Sequence, residues 1–195
     1  YYSRARNLKK AAGQVMERYG GALPASYEEL LTLAGVGEYT AGAIASIAFG
    51  IPVPAVDGNV LRVVARIAGD EGDITLPATK KRMGQALQEI IPTAMPGAFN
   101  QAMMELGATV CLPNGAPLCD RCPAAGFCAA LAQDKINSLP VKAPKKARRV
   151  EERTVYLIFH EGRVALRRRP EKGLLAGLWE YPNELAEKTG ILESW

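Results

Sequence analysis

Four cysteines lie within one short stretch, and their spacing constrains the fold more than any other feature of the chain. Cys111, Cys119, Cys122 and Cys128 are the only cysteines, separated by seven, two and five residues. Four thiols this close can surround one inorganic centre, so we predict that all four ligate a [4Fe-4S] cluster. A tetrahedral zinc site and a pair of disulfide bonds remain alternatives. The stretch therefore indicates a cofactor before anything else in the chain indicates a reaction.

The composition is that of a globular protein, with 48% hydrophobic and 23% charged residues. Arg62 and Arg66 interrupt the longest apolar helix candidate, so we expect no transmembrane segment. The polar, basic start does not resemble a signal peptide. We expect a monomer in the cytoplasm of a bacterial-type cell, associated with the nucleoid. Because the chain starts and stops abruptly, we also expect a fragment.

The hydrophobic periodicity changes once along the chain and predicts two domains. Three-and-four spacing predicts helices over residues 4–19, 26–33, 39–49, 57–68, 78–91, 98–110 and 124–133. Alternation later predicts a strand at 154–160, a turn at Glu161-Gly162 and a return strand from Arg163. We predict a helical domain at 1–133 containing the cysteine loop at 111–128, a linker at 134–152, and the beginning of a β-containing domain at 153–195.

Positive charge is concentrated near the predicted linker. The net charge is only +4, yet residues 142–169 contain ten basic and three acidic side chains. Such a stretch favours a polyanionic partner. A solvated linker followed by an exposed strand is the alternative.

A glycine-rich turn, Gly35-Val36-Gly37, joins two of the predicted helices. Glycine permits a positive φ and leaves neighbouring amide hydrogens uncovered, and the next helix adds its own unpaired amides. Together they predict a site for one phosphate, independent of base identity. A tight turn between helices without a ligand remains the alternative.

Asp57 stands immediately before a predicted helix, within Val56-Asp57-Gly58-Asn59. An aspartate at this position is most often an N-cap that accepts backbone hydrogen bonds. Its position between the glycine turn and the cysteine loop also makes it a candidate for a reacting carboxylate.

Three segments together resemble the helix–hairpin–helix DNA glycosylases, the family that includes endonuclease III. They are Leu33–Ala41, Val56–Val63 and the cysteine loop. Within this family, residues 1–8 and 99–107 most resemble the adenine-excising members. The resemblance implies a mainly α, helix–hairpin–helix glycosylase domain with an iron–sulfur cluster loop, followed by the start of an α+β Nudix-like domain. It also implies base excision repair: hydrolysis of the N-glycosidic bond of adenine mispaired with 8-oxoguanine or guanine in double-stranded DNA.

The resemblance also assigns roles to individual residues. Asp57 corresponds to the carboxylate that stabilises positive charge on the sugar, and Asn59 is expected to orient it. Tyr39 stands where strand-cutting members carry a lysine, and a phenol cannot form a Schiff base. We expect DNA contacts from Gly35, Val36, Gly37, Thr40 and Arg121.

Two parts of the family pattern have no match in this chain. The glutamic acid that protonates the departing base lies upstream of the hairpin in the family, so we expect the chain by itself to be inactive. Residues 153–182 resemble the Nudix-related domain but lack the carboxylates that would hold magnesium. An endonuclease III-like glycosylase and lyase, or a non-catalytic DNA-binding module, are the alternative functions.

Overall fold

The computed structural model describes residues 2–144 and 150–186 and divides into two compact units, residues 1–144 and 145–195. The first unit is helical and the second contains short strands. Part of the basic stretch, Lys145, Lys146, Arg148 and Arg149, lies outside the described residues, as does the end of the predicted second domain from residue 187 onward.

The first unit is built from seven α-helices. They are α1 (Tyr2–Tyr19), α2 (Tyr27–Leu31), α3 (Glu38–Phe49), α4 (Gly58–Ala68), α5 (Pro77–Ile90), α6 (Pro96–Glu105) and α7 (Ala129–Ala132). The prediction of a mainly helical domain is confirmed. None of the described helices is both long and apolar enough to cross a membrane.

Local sequence signals explain where these helices begin and end. The Ser26 hydroxyl accepts a hydrogen bond from the Glu29 amide at 3.3 Å and caps α2. Gly50 and Gly69 end α3 and α4 in the left-handed conformation, with φ of 66° and 65°, a conformation that side-chain-bearing residues adopt at a cost. Proline opens both α5 and α6, where its missing amide hydrogen is not needed.

The two predicted helices beside the cysteine loop differ from the observed structure. The helix predicted at 98–110 ends as an α-helix at Glu105 and continues as a π-helical turn, Leu106–Val110. The helix predicted at 124–133 is a 3₁₀ turn, Ala125–Phe127, followed by α7. Cys128 lies between the 3₁₀ turn and α7 and has an extended backbone, with φ −81° and ψ 109°. This conformation interrupts the predicted helix, and Cys128 is buried.

The helical unit continues past residue 133, the predicted end of the first domain. Leu139 is 1% exposed, and its carbonyl accepts a hydrogen bond from Arg66 Nε at 2.8 Å. The Ile74 amide donates to the Val141 carbonyl at 3.1 Å. Residues that the sequence predicts as linker therefore form part of the packed unit up to Pro144.

Within residues 150–186, the described part of the second unit, there are six short strands in three antiparallel pairs. They are β1 (Arg153–Val155), β2 (Phe159–His160), β3 (Arg163–Val164), β4 (Arg167–Arg168), β5 (Trp179–Glu180) and β6 (Asn183–Leu185). The pairs are β1 with β6, β2 with β3 and β4 with β5. The predicted strand 154–160 is divided because its two halves pair with different partners. The turn predicted at Glu161-Gly162 is present, with φ of 46° and 71°.

Two glycines let α3 approach its neighbours closely. A Cβ atom on Gly42 would lie 2.5 Å from the carbonyl oxygen of Pro54, and one on Gly97 would lie 2.8 Å from that of Ser46. Both neighbours are backbone atoms, which cannot rotate away. The absence of a side chain at these positions therefore sets the distance of α3 from α6 and from the segment that leads into α4.

We expect Gly42→Ala to destabilise the protein by about 1–3 kcal/mol, because the added methyl group forces a backbone shift. Gly13→Ala is the matched control, since Gly13 lies within α1 and has nothing within 4 Å of an added Cβ. It should raise stability by about 0.5–1 kcal/mol through helix propensity. Urea unfolding of both variants checks the prediction, and equal midpoints for the two would contradict it.

Candidate functional site

The glycine turn joins α2 to α3 at the surface, and its Val36 amide donates to the Leu33 carbonyl at 3.1 Å. Gly35 has φ of 77°, and both it and Gly37 are exposed. Gly37 is the N-cap of α3 and has no side chain to accept from the first amides of that helix. Asn7 of α1 packs under the turn, 2.7 Å from a Cβ placed on Gly35. The turn thus presents backbone donors at a helix N-terminus, an arrangement that suits an anion.

Tyr39 lies in the first turn of α3 and is 41% exposed. Its hydroxyl donates to the Met104 sulfur of α6 at 3.3 Å. Tyr39 lines an open groove, about 1620 Å³ of empty space including open solvent, between the starts of α2 and α3 and the side of α5. Val56, next to Asp57, lines the same groove. Thr40, on the following position of α3, is half-buried.

The Asp57 carboxylate is the N-cap of α4. One oxygen, Oδ1, accepts from the amides of Asn59 at 2.9 Å and Val60 at 2.8 Å. The other, Oδ2, accepts from Asn59 Nδ2 at 3.1 Å. Capping and a chemical role are compatible here, because an ionised carboxylate has about four lone-pair positions and these bonds use three. The carboxylate is therefore held in one orientation by α4 and Asn59.

Arg62 connects Asn59 to the start of the cysteine loop. Its guanidinium donates to Asn59 Oδ1 at 2.9 Å, to the Gly107 carbonyl at 2.7 Å and to the Cys111 carbonyl at 2.8 Å. Arg62 is 4% exposed. Burial lowers its pKa, and the nearby Cys111 and Asp57 groups act in the opposite direction. A continuous hydrogen-bonded path thus runs from Asp57 to Cys111.

Arg66, one turn further along α4, holds the loop itself. Its Nε donates to the Leu139 carbonyl at 2.8 Å. Its NH1 donates to the Leu112 carbonyl at 3.0 Å and to the Cys111 sulfur at 3.2 Å. Sequence reasoning used Arg62 and Arg66 as evidence against a membrane span, and Arg62 also as part of the family-like segment Val56–Val63. Two arginines four residues apart on an otherwise apolar helix were the available signal for a buried pair.

The four cysteines line one cavity, as their spacing predicts. The cavity has about 380 Å³ of empty space, part of it open to solvent, and Val63, Arg66 and Ile67 complete its α4 side. All four cysteines are free thiols. Burial raises the pKa of Cys119, and the other three thiols raise it further. In their present positions, no three His, Cys, Asp or Glu side chains of the described residues converge on a single metal ion.

This donor set fits an iron–sulfur cluster chemically. The cavity presents four sulfur donors within a mainly apolar wall, and a guanidinium already donates a hydrogen bond to one sulfur. Thiolates hold such clusters, and hydrogen bonds to their sulfurs tune them.

The predicted DNA contacts are not part of the hydrogen-bonded path that the described residues form from Asp57 to Cys111. Arg121 is exposed in the 3₁₀ turn Cys119–Arg121 of the cysteine loop. The hydrogen bonds that the described residues form do not include one from Arg121 or Tyr39 to Asp57. The structure thus joins Asp57, Asn59 and the cysteine loop, while the glycine turn and Arg121 remain separate surface features.

Residues 18–47 match the family model for the helix-hairpin-helix motif, which covers the glycine turn and its flanking helices. The chain is 38% identical to the adenine DNA glycosylase of Rattus norvegicus over 97% of this chain and 45% of the rat protein. It therefore spans about half the length of the curated relatives it matches.

Solved structures give the same fold. A thermostable thymine-DNA glycosylase is similar with a TM-score of 0.59 and 32% identity, covering 67% of this chain and 59% of that one. Endonuclease III in a non-covalent complex with DNA has a TM-score of 0.56 and 30% identity, covering 68% and 59%. The prediction of a mainly α, helix–hairpin–helix domain is confirmed.

We expect Arg66→Leu to destabilise the protein by at least about 2 kcal/mol, because it leaves buried carbonyl oxygens without a donor. Arg82→Leu is the matched control. Arg82 pairs with Asp70 at the surface, where such a pair contributes about 0–1 kcal/mol. Chemical unfolding of both variants checks the difference, and an equal loss at the two positions would contradict the role given to Arg66.

Proposed function

We propose, on the premise that this chain belongs to the helix–hairpin–helix DNA glycosylases, that it forms part of a protein that excises adenine mispaired with 8-oxoguanine or guanine in base excision repair. The observation that carries the proposal is the fixed carboxylate of Asp57, held by the cap of α4 and by Asn59. The relatives that match nearly the whole chain are adenine DNA glycosylases, which favours adenine as the base.

The chemistry that Asp57 would perform follows from the bond that breaks. Cleavage of an N-glycosidic bond leaves positive charge on the sugar, and a carboxylate beside C1′ stabilises that charge or attacks it. Asn59 donates to Asp57 Oδ2 and would keep the carboxylate aimed at the sugar. The target nucleotide must leave the stack before its glycosidic bond can be reached.

Departure of adenine also requires a proton from an acid. We assign that role to no residue of this chain. Tyr39 carries a hydroxyl in the position where a lyase needs an amine, so it supports hydrolysis rather than a Schiff-base route. Its position at the groove beside Val56 is compatible with a place next to the flipped nucleotide.

Duplex DNA is the partner that the surface features favour. The exposed amides at Gly35 and Gly37, with Val36 between them and Thr40 in the first turn of α3, form an anion site that ignores base identity. Arg121 offers a second, charged contact to a phosphate from the cysteine loop. A protein with this substrate binds chromosomal DNA, so we also propose a nucleoid location in a bacterial-type cytoplasm. We propose a monomer, since one site is sufficient for one flipped base.

The same proposal assigns a [4Fe-4S] cluster to Cys111, Cys119, Cys122 and Cys128. Four thiols around one cavity, with no histidine or carboxylate among its lining residues, favour iron–sulfur over a mixed-ligand zinc site. When bound, the cluster would cross-link the loop and so fix its path. Arg66 would then donate to a ligand sulfur and stabilise its thiolate form.

Asp57→Asn should reduce adenine release by at least about 100-fold, because the amide cannot offset positive charge on the sugar. The substitution keeps the size of the side chain and an oxygen that can still cap α4. The loss is measured as single-turnover release of adenine from a duplex containing one A:8-oxoguanine pair. The assay uses the intact protein, meaning a full-length protein that includes this chain. Asp73→Asn is the control, since Asp73 does not line the groove beside Tyr39 and its carboxylate accepts from the Thr75 amide instead of capping α4. Unchanged release by Asp57→Asn would remove this carboxylate from the mechanism.

Protein purified without oxygen should be brown and contain about four irons per chain. Cys122→Ser should lose most of this iron, because serine is a poor ligand for the cluster. Asp120→Asn, two residues away in the same loop, should retain it. Iron and zinc analysis with visible absorption spectra checks the assignment. A colourless protein with one equivalent of zinc would overturn the assignment of the cluster. The glycosylase proposal would still be decided by the adenine-release assay.

A further inference from the structure

Asn100 of α6 is a buried polar side chain to which none of the preceding roles applies. It is 2% exposed. Its Oδ1 accepts from the Ala55 amide at 3.0 Å, and its Nδ2 donates to the Val53 carbonyl at 2.9 Å and to the Ser46 hydroxyl at 2.8 Å. Burying an amide is unfavourable unless its donors and acceptor are paired. Here both N–H donors and the carbonyl oxygen of the Asn100 side chain have a partner.

These partners show what the side chain does. Residues 51–56 connect α3 to α4 without regular secondary structure. The Val53 carbonyl and the Ala55 amide belong to alternate residues, the pair that a neighbouring β-strand would normally bond. The Asn100 amide has the donor and acceptor of a peptide group, and it bonds this pair in place of a strand. A single side chain of α6 thus pairs two backbone groups of this half-buried connection.

Gly42 of α3 contacts this connection as well. A Cβ added at Gly42 would lie 2.5 Å from the Pro54 carbonyl oxygen. Ala55, between Pro54 and Val56, is 1% exposed. With Gly42 against Pro54 and Asn100 bonded to Val53 and Ala55, the backbone has little freedom at Ala55. We call the contacts of Gly42 and Asn100 with residues 53–55 the clamp. Asp57 follows two residues after Ala55, so the clamp sets its backbone direction, and the α4 cap sets the orientation of its carboxylate.

We propose that Asn100 is a positioning residue for Asp57, acting through the backbone of residues 53–55. The inference rests on the proposed function only for its catalytic consequence; the clamp itself is a statement about the structure. A small displacement of a reacting group costs about ten-fold to about a hundred-fold in rate. Loss of the clamp should therefore slow the chemical step while the DNA-contacting turn at Gly35 and Gly37 stays in place.

Two substitutions separate the hydrogen bonds from the volume of the side chain. Asn100→Leu keeps nearly the same size and removes all three bonds. Asn100→Asp keeps the acceptor for the Ala55 amide and removes the amide donor to Val53. Gln101→Leu is the matched control, since Gln101 is exposed and bonds only the Gly97 carbonyl of its own helix, at 3.3 Å.

The first readout is hydrogen exchange of peptides covering residues 51–57, followed by mass spectrometry on the intact protein. Asn100→Leu should raise the exchange rate at Ala55 by at least about ten-fold, Asn100→Asp should raise it less, and Gln101→Leu should leave it unchanged. Peptides from the centre of α4 should exchange as in the wild type, which shows that the variant is folded. Wild-type exchange at Ala55 in Asn100→Leu would overturn the clamp, whatever the activity.

The second readout separates chemistry from binding. Asn100→Leu should lower the single-turnover rate of adenine release by about ten-fold or more, with an unchanged Kd for a duplex carrying an abasic-site analogue opposite 8-oxoguanine. Asn100→Asp should recover part of the rate. Faster exchange with an unchanged rate would overturn the positioning role, and an equal loss of rate and affinity would do so too. If wild-type protein releases no adenine, the proposed function fails, and the exchange result still decides the clamp.

Discussion

Two buried guanidinium groups on α4 hold the site together. A buried arginine is unfavourable unless its donors are paired, and Arg62 and Arg66 are paired with groups that are distant in sequence: the carbonyls of Gly107, Cys111, Leu112 and Leu139 and the Cys111 sulfur. Their positions one turn apart direct both toward the cysteine loop. Since α4 begins at the Asp57 cap, the same helix carries the candidate reacting group and the attachment of the loop. No buried side-chain nitrogen or oxygen of the described residues lacks a partner.

A second support comes from α6 and its π-helical continuation. Asn100, near the start, bonds the backbone before Asp57, while Gly107, near the end, lies against Asn59 and accepts from Arg62. One element thus contacts the chain on both sides of Asp57 and then leads directly into Cys111. Through this arrangement the cysteine loop, although distant in sequence, is connected to the residues around Asp57. If the cluster fixes the path of the loop, the carbonyls that bind Arg62 and Arg66 keep their positions as well.

Sequence reasoning reached those features that local chemistry determines. The Ser26 and Asp57 caps, the glycine turn and the grouping of the four thiols follow from residue type and spacing. The π-helical turn and the broken helix at Cys128 do not, because loop closure around the thiols overrides helix propensity there. The packing of Leu139 does not follow from the sequence, because a proline- and lysine-rich composition indicates a linker. In the structure the buried Arg66 donates to the Leu139 carbonyl and so holds this segment against α4. Asn100 was recognised only as part of a family-like segment, since the groups that it bonds lie 45 to 54 residues away in sequence and no periodicity reveals them.

The central claim is that the protein releases adenine from a mispaired duplex, and a comparison of substrates tests this claim most directly. The intact protein would be incubated with three duplexes of one sequence that differ in the base opposite a single adenine: 8-oxoguanine, guanine and thymine. Free adenine would be quantified over one turnover. The account predicts release from the two mispairs and none from the A:T duplex. Release of no adenine from any duplex, or equal release from all three, would contradict it.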